Sequence, residues 1–141
     1  VLAHNKLRQN PVAPETLLDF MIFEGKLLYF LDCMFPLSHD SLKIAFTSQH
    51  ILWADRYQGH AWAHFIENEL LYSTDNHMIR SYIGEAPFTD SFSSNSAPRM
   101  GAYIGWQIVR AFMRRNPEVT LNELLTAKSA EEILNQANYR P

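Results

Sequence analysis

The sequence predicts an all-α protein, and three observations favour this class. Apolar residues recur at spacings of three and four rather than two, which is the period of an amphipathic helix. Five glycines and seven prolines are few for 141 residues, so turn signals are sparse. The hydrophobic content of 47% is enough for one core in a chain of this length. We therefore expect residues 1–141 to form a single helical domain.

The first long helix is predicted over 15–35. An apolar stripe runs through this segment at helical spacing, the Pro14-Glu15-Thr16 sequence suits a first turn, and Pro36 ends the pattern. Cys33 falls among the apolar residues of this segment, so we expect it to be a buried, inert thiol.

The middle of the chain predicts shorter helices. Ser38 and Asp40 are suited to cap one of them, and Thr47 opens the next. Gly59 is expected to interrupt that run, and Ser73-Thr74-Asp75 is expected to cap the last helix of this region. The segments expected to be helical are, in order, 42–46, 47–54, 60–72 and 78–83.

The segment 100–115 is the strongest core candidate, because its apolar residues surround nearly the whole predicted helix. Gly101 and Gly105 lie one turn apart within it. Since each glycine costs about 1 kcal/mol relative to alanine in a helix, we expect another backbone to approach closely there. The proline- and serine-containing segment 84–99 before this helix is predicted to be a long surface loop.

Two capping patterns follow the central helix, after Asn116-Pro117 ends it. Thr120 with Glu123, and Ser129 with Glu132, have the spacing of a capping box, in which a hydroxyl and a carboxylate satisfy each other's backbone amides. Each pattern predicts a short terminal helix.

Charge and hydropathy disfavour several functions. Twelve basic and fifteen acidic residues give a net charge of −3, which does not suit binding to nucleic acid or to an anionic membrane. No segment has the roughly 18 consecutive apolar residues of a membrane helix. The chain begins at Val1 without a signal peptide or a lipid-anchor cysteine near its start, so we expect that a targeting segment has been removed.

The first candidate site is at the amino terminus, where His4 and Arg8 are four residues apart and Glu24 follows. A His-Glu-x-x-His helix binds zinc through two imidazoles and uses the glutamate as a general base. Here Asn5 cannot accept a proton, and the permanent cation of Arg8 stands where the second imidazole would bind. The alternative interpretation is a surface histidine and an ordinary helix glutamate.

The second candidate is the pair His60 and His64, with Glu67 nearby. An i, i+4 spacing suits two ligands of one metal, and Glu67 or Asp55 supplies a third. This spacing arises easily by chance among six histidines, so a solvated helix face is the competing interpretation.

The third candidate is an interaction surface formed by Arg99, Tyr103, Trp106 and Arg110 beside the 84–99 loop. Arg110 and Arg114 are also one turn apart, where they suit an acidic partner. The alternative is that Trp106 belongs to the core and the arginines face water. No phosphate-binding loop or nucleophile elbow is recognisable.

Six strings of the sequence are distinctive in combination: Thr16-Leu17-Leu18-Asp19, Glu24-Gly25-Lys26-Leu27-Leu28-Tyr29, Glu69-Leu70-Leu71-Tyr72-Ser73-Thr74-Asp75, Ala86-Pro87-Phe88, Gly101-Ala102-Tyr103-Ile104-Gly105-Trp106-Gln107-Ile108-Val109-Arg110 and Tyr139-Arg140-Pro141. Together they resemble the carboxy-terminal part of the gliding-motility lipoprotein B (GldB) family of Bacteroidota. The resemblance implies a cell-envelope lipoprotein on the periplasmic side or in the outer membrane. It further implies a lipid anchor that this chain lacks, and a role in gliding and the linked secretion machinery.

That family is similar, more remotely, to predicted zinc peptidases with a zincin-like fold. On their pattern His4 matches the first metal ligand and Glu24 the third, whereas Asn5 and Arg8 depart from the general base and the second ligand. The resemblance therefore implies a zincin-like helical scaffold without a catalytic metal or cofactor, which binds protein partners. A zinc-dependent hydrolase that uses His60, His64 and a carboxylate is the rival hypothesis.

Overall fold

A computed structural model describes residues 13–84 and 96–141, and these ranges contain helices and turns but no strand. The all-α prediction is confirmed. No helix among the described residues combines the length and apolar character needed to cross a bilayer. The helices are α1 Leu17–Met34, α2 Asp40–Ile44, α3 Ser48–Glu67, α4 Asn76–Ile83, α5 Met100–Arg115, α6 Leu121–Ala127 and α7 Ala130–Ala137.

The core is organised around α5, which makes its most extensive contact with α1 and further contacts with α7, α3 and α4. The side chains of Trp106 and Phe112 are completely buried, as expected for a helix with apolar residues on nearly every side. The prediction that 100–115 is the central helix is confirmed.

The two central helices touch at their backbones. A Cβ atom added to Gly105 would collide with the carbonyl oxygen of Met21, and one added to Gly25 would collide with the carbonyl of Gly105. At Gly101 an added Cβ would lie 3.1 Å from the carbonyl oxygen of Tyr82 on α4. The predicted close approach at both glycines of α5 is confirmed, and Gly25 adds a third position on α1.

Side-chain caps begin most helices, as the sequence indicates. Capping boxes are present at Thr16, Thr47 and Thr120, and Asp75 accepts two backbone N–H groups at the start of α4. The predicted box at Ser129 is half formed: its hydroxyl accepts from the Glu132 N–H at 3.2 Å, but the Glu132 carboxylate accepts from Lys128 instead of the Ser129 N–H. The short helix α2 is an exception to the prediction. His39, rather than Ser38 or Asp40, is its N-cap, and its Nδ1 accepts from the backbone of Ser41 at 3.1 Å.

Gly59 does not interrupt α3, which continues as one helix from Ser48 to Glu67. Buried residues on both sides of the glycine, Ala54 and Phe65 among them, pack on the core, and this packing outweighs the helix cost of about 1 kcal/mol. The helix also ends five residues before the predicted Tyr72. Glu69 has a φ of 53°, and this left-handed turn reverses the chain.

The turn after α3 closes the amino-terminal end of α1. The backbone N–H groups of Leu17 and Leu18 donate to the carbonyls of Ser73 and Leu71, at 3.0 and 2.8 Å. These are first-turn amides without partners inside their own helix. The 70–73 connection therefore satisfies them and places Leu71 in the core.

Cys33 is exposed, which corrects the expectation of a buried thiol. Asp32, the residue before Cys33, points toward α5. Cys33 is one residue further around the helix, so its side chain points away from that contact. Apolar neighbours in sequence do not bury a thiol when the helix itself is apolar on more than one side.

Candidate functional site

Five polar side chains from three helices form one connected group, which we name the Asp32 cluster: Asp32, Asp40, Lys43, Trp106 and Arg110. Arg110 donates to both Asp32 oxygens, through Nε at 2.8 Å and through Nη2 at 2.9 Å. It also donates to both Asp40 oxygens, at 3.0 and 3.1 Å. Lys43 Nζ and Trp106 Nε1 each donate to Asp32 at 2.9 Å. The cluster joins α1, α2 and α5.

Hydrogen bonding decides the ionisation of the cluster. Burial alone would raise the pKa of Asp32, but the bonds from Arg110, Lys43 and Trp106 outweigh it and hold that pKa below its ordinary value. Burial likewise lowers the pKa of Arg110, and the two aspartates reverse the effect, so the net shift is upward. The Arg110 guanidinium also lies 3.8 Å from the Trp106 ring centroid, a cation–π distance. Asp32 and Arg110 therefore favour their charged forms and pair with each other.

The predicted interaction surface of Arg99, Tyr103, Trp106 and Arg110 lies along one face of α5, but two of its members are interior. Trp106 has no exposed surface and Tyr103 is 5% exposed, which corrects the expectation that they contact a partner. Tyr103 stacks with Phe46 at 6.1 Å between centroids, and burial raises its pKa to about 12. Trp106 is therefore a core residue. Residues 85–95 of the adjacent loop, which were predicted to belong to the same surface, lie outside the described ranges.

Arg99 and Glu24 form an ion pair between the start of α5 and α1, with 3.6 Å between Nη2 of Arg99 and Oε1 of Glu24. Arg99 also donates to the carbonyl of Ile44 at 3.2 Å. Glu24, predicted from the sequence to match the third ligand of a degenerate zinc frame, thus has an arginine as its neighbour. The other three positions of that frame, His4, Asn5 and Arg8, lie outside the described residues.

The second candidate metal site is not assembled. His64 hydrogen-bonds through Nε2 with the Tyr82 hydroxyl at 2.7 Å and through Nδ1 with Asn68 at 3.3 Å. His60 is exposed and its ring lies 5.7 Å from that of Tyr57. Within residues 13–84 and 96–141, no three His, Cys, Asp or Glu side chains are arranged to hold a metal ion. The geometry thus does not support a zinc site of His60, His64 and Glu67.

A cleft of about 620 Å³ opens where the ends of α5 and α7 meet α3. We name it the arginine cleft, because Arg114, Arg115 and Arg140 line it together with Gln58, Gln107 and Tyr139. Tyr139 donates to Gln58 at 2.8 Å, and burial raises the pKa of the Tyr139 hydroxyl. The carboxy-terminal tail is thus fixed as one wall.

None of the three arginines forms an ion pair with a described residue. Arg140 donates through Nε to Asn138 at 3.0 Å, and Arg114 and Arg115 are exposed in the last turn of α5. Arg110 and Arg114 are predicted to hold an acidic partner together, but only Arg114 lines the cleft, since Arg110 is bound to the Asp32 cluster. Sequence reasoning missed Arg115 and Arg140 because Arg140 reaches the cleft only after α7 returns the tail to α5.

Comparison with known proteins identifies a family for the chain. The family model described as "Gliding motility protein GldB" matches residues 1–141. No curated protein and no solved structure matches the chain.

Proposed function

We propose a function from the premise that the chain belongs to the gliding motility protein GldB family. A role in gliding motility follows from that membership. Our proposal is that the domain acts without catalysis, as a binding domain that holds an acidic segment of a protein partner in the arginine cleft. That partner would belong to the gliding machinery or to the protein secretion machinery linked to it.

The side chains that could act in catalysis are hydrogen-bonded to other side chains of the domain, and this supports a binding function over a catalytic one. Asp32 accepts from three donors and its pKa lies below the ordinary value, whereas a general base needs a pKa near neutrality. Both ring nitrogens of His64 have hydrogen-bond partners. These groups hold helices together, which is the task expected of an assembly domain.

The single observation that carries the proposal is the set of arginines without an ion-pair partner in one concavity. The whole chain has a net charge of −3, yet three guanidinium groups line one cleft and none of them pairs with an acidic side chain of the described residues. Arginine binds carboxylates through two parallel hydrogen bonds. An acidic peptide segment supplies several carboxylates for such bonds.

The proposed location of the protein in the cell rests on its family. Its model is named for a lipoprotein, and we propose that a lipid anchor outside residues 1–141 holds the domain in the cell envelope, on the periplasmic side or in the outer membrane. A degenerate zincin-like site at His4, Asn5, Arg8 and Glu24 remains a prediction. The ion pair of Glu24 with Arg99 supports only the loss of a metal ligand in that prediction, because a ligand would need its carboxylate free.

Charge reversal in the cleft tests the proposal. The double variant Arg114→Glu/Arg115→Glu should bind a fluorescent hexaglutamate peptide at least tenfold more weakly than the unaltered chain, and the affinity of the latter should fall with salt. The matched control is Arg56→Glu/Arg80→Glu, which changes the net charge equally at exposed positions on α3 and α4. Equal binding by both double variants would refute an acidic partner at this cleft.

The same variants test the cellular role. In a gliding bacterium that lacks its own GldB-family gene, full-length protein with the cleft double variant should reach normal abundance and fail to restore spreading, while the control restores it. Full spreading with the cleft variant would contradict the proposal. Peptide cleavage by the purified protein that a chelator stops would contradict its non-catalytic part.

A further inference from the structure

The outer face of α1 carries a continuous row of large apolar side chains that nothing among the described residues covers. Phe23, Leu27, Phe30 and Met34 are 49%, 47%, 39% and 51% exposed. We name these four residues the α1 stripe. They lie opposite the face that packs on α5 through Met21 and Gly25, so α1 is apolar on two opposite sides.

The spacing of the α1 stripe is that of a helix–helix seam. Its members follow one another at intervals of four, three and four residues, which is the a/d alternation of a heptad repeat. Phe20 precedes the stripe by three residues, and Leu37, just beyond the helix end, follows it by three. A solvent-facing helix surface would instead carry polar residues on this side.

We propose that the α1 stripe is a homodimer seam, in which α1 packs antiparallel against α1 of a second copy of this chain. In the antiparallel register centred between Leu28 and Tyr29, Phe23 faces Met34 of the second copy and Leu27 faces Phe30. Each aromatic ring then meets an aliphatic side chain, which is the large-against-small alternation of packed helices. A methionine sulfur beside an aromatic ring is also a favourable contact.

The charges of α1 permit this self-association. The helix has four charged residues, and each is bound within its own chain. Asp19 is part of the capping box, Glu24 pairs with Arg99, Lys26 donates to the Lys128 carbonyl at 2.6 Å, and Asp32 belongs to the Asp32 cluster. Two copies therefore meet without facing like charges. A lipid surface is a poorer occupant, since the one cation of α1 is buried and cannot flank the stripe.

The exposed area suits a stable dimer. Phe35 and Leu37, 57% and 99% exposed, extend the patch beyond the helix end. At about 200 Å² for a large side chain, the stripe with these two residues exposes roughly 700 Å². Such a patch is larger than the roughly 300–600 Å² of the largest apolar patch on a typical monomer. Burying it on both copies gives roughly 1,400 Å², within the range of about 1,200–2,000 Å² typical of specific interfaces.

Measuring the mass of the 141-residue chain in solution tests the proposal. At about 50 μM, above the micromolar range expected for interfaces of this size, light scattering should give a dimer. Leu27→Asp/Phe30→Asp should be a monomer with unchanged helical circular dichroism. Leu52→Asp, at a leucine that is 69% exposed on α3, should remain a dimer. A monomeric unaltered chain, or a double variant that still dimerises, would overturn the seam.

Cross-linking tests the orientation. In a Cys33→Ser background, chains with Phe23→Cys and chains with Met34→Cys should form disulfides when mixed, and each should cross-link poorly alone. Efficient cross-linking of either single-cysteine chain with itself would indicate a parallel pair and overturn the antiparallel seam. If the unaltered chain is a monomer that floats with phosphatidylglycerol vesicles, a lipid surface covers the stripe and the homodimer is refuted.

Discussion

Substituting Gly105 with alanine tests the backbone contact on which the core is built. Alanine is the better helix former by about 1 kcal/mol, so in the absence of close packing Gly105→Ala would stabilise the protein. In this fold the new methyl group meets the carbonyl oxygen of Met21. The obstacle is the backbone of α1, and no side-chain rotation can relieve it.

The magnitude follows from how far the helices must separate. A shift on the order of 1 Å between α1 and α5 forfeits up to about half of the dispersion energy of each contact across the interface. Overpacking a core costs up to about 3 kcal/mol, and the gain in helix propensity returns about 1 kcal/mol. We expect the free energy of unfolding of Gly105→Ala to fall by about 2 kcal/mol, and Tm by about 4–8 °C.

The chain contains its own matched control for this experiment. Gly59 is also inside a helix, but a Cβ added there has no neighbour nearer than 3.7 Å. Gly59→Ala should therefore raise the free energy of unfolding by up to about 1 kcal/mol. Urea titrations and thermal melts of both variants measure the opposite signs. If Gly105→Ala is as stable as Gly59→Ala or more so, the reasoning on the α1–α5 contact is wrong.

Three further predictions concern the cluster, a cap and the thiol. Asp32→Asn should lower the free energy of unfolding by about 3 kcal/mol, because Arg110 loses a buried partner. Since the folded pKa of Asp32 lies below its ordinary 3.8, the unaltered chain should lose this stabilisation as the pH falls below 3.8. The variant should lack this loss in acid titrations followed by circular dichroism. Thr47→Ala should cost about 1 kcal/mol by removing the capping box of α3, and an unchanged urea midpoint would contradict that role. Cys33 should react with Ellman's reagent in the folded protein, whereas a thiol that reacts only in denaturant would show that it is buried.

The arginine cleft and the α1 stripe give the domain two separate surfaces with different chemistry. The cleft is cationic and concave, and the stripe is apolar and exposed. A dimer formed through α1 would present two arginine clefts, and two linked sites bind a multivalent acidic partner more tightly than one. The peptide titration and the mass measurement are independent, so either proposal can fail while the other stands.

Features that depend on neighbours along the chain were predictable from the amino-acid order. The capping box at Thr120 joins that residue to Glu123, three positions along the chain, so its chemistry is visible in the sequence. The burial of the 100–115 helix follows from its apolar residues on nearly every side. The close approach at Gly105 follows from the paired glycines, since their helix cost has to be offset by packing. The family strings predicted the gliding role that the family match supports.

The partner of each polar group, in contrast, depends on how the helices pack. Residues 32, 40, 43, 106 and 110 meet across up to 78 positions of the chain, and no periodicity encodes such a pairing. Helical spacing likewise could not distinguish the buried Trp106 from a surface anchor, or the exposed Cys33 from a core thiol, because the apolar faces of α1 and α5 are too broad to define one side. Which face is covered depends on the helices that lie against it, and these come together only when the chain folds.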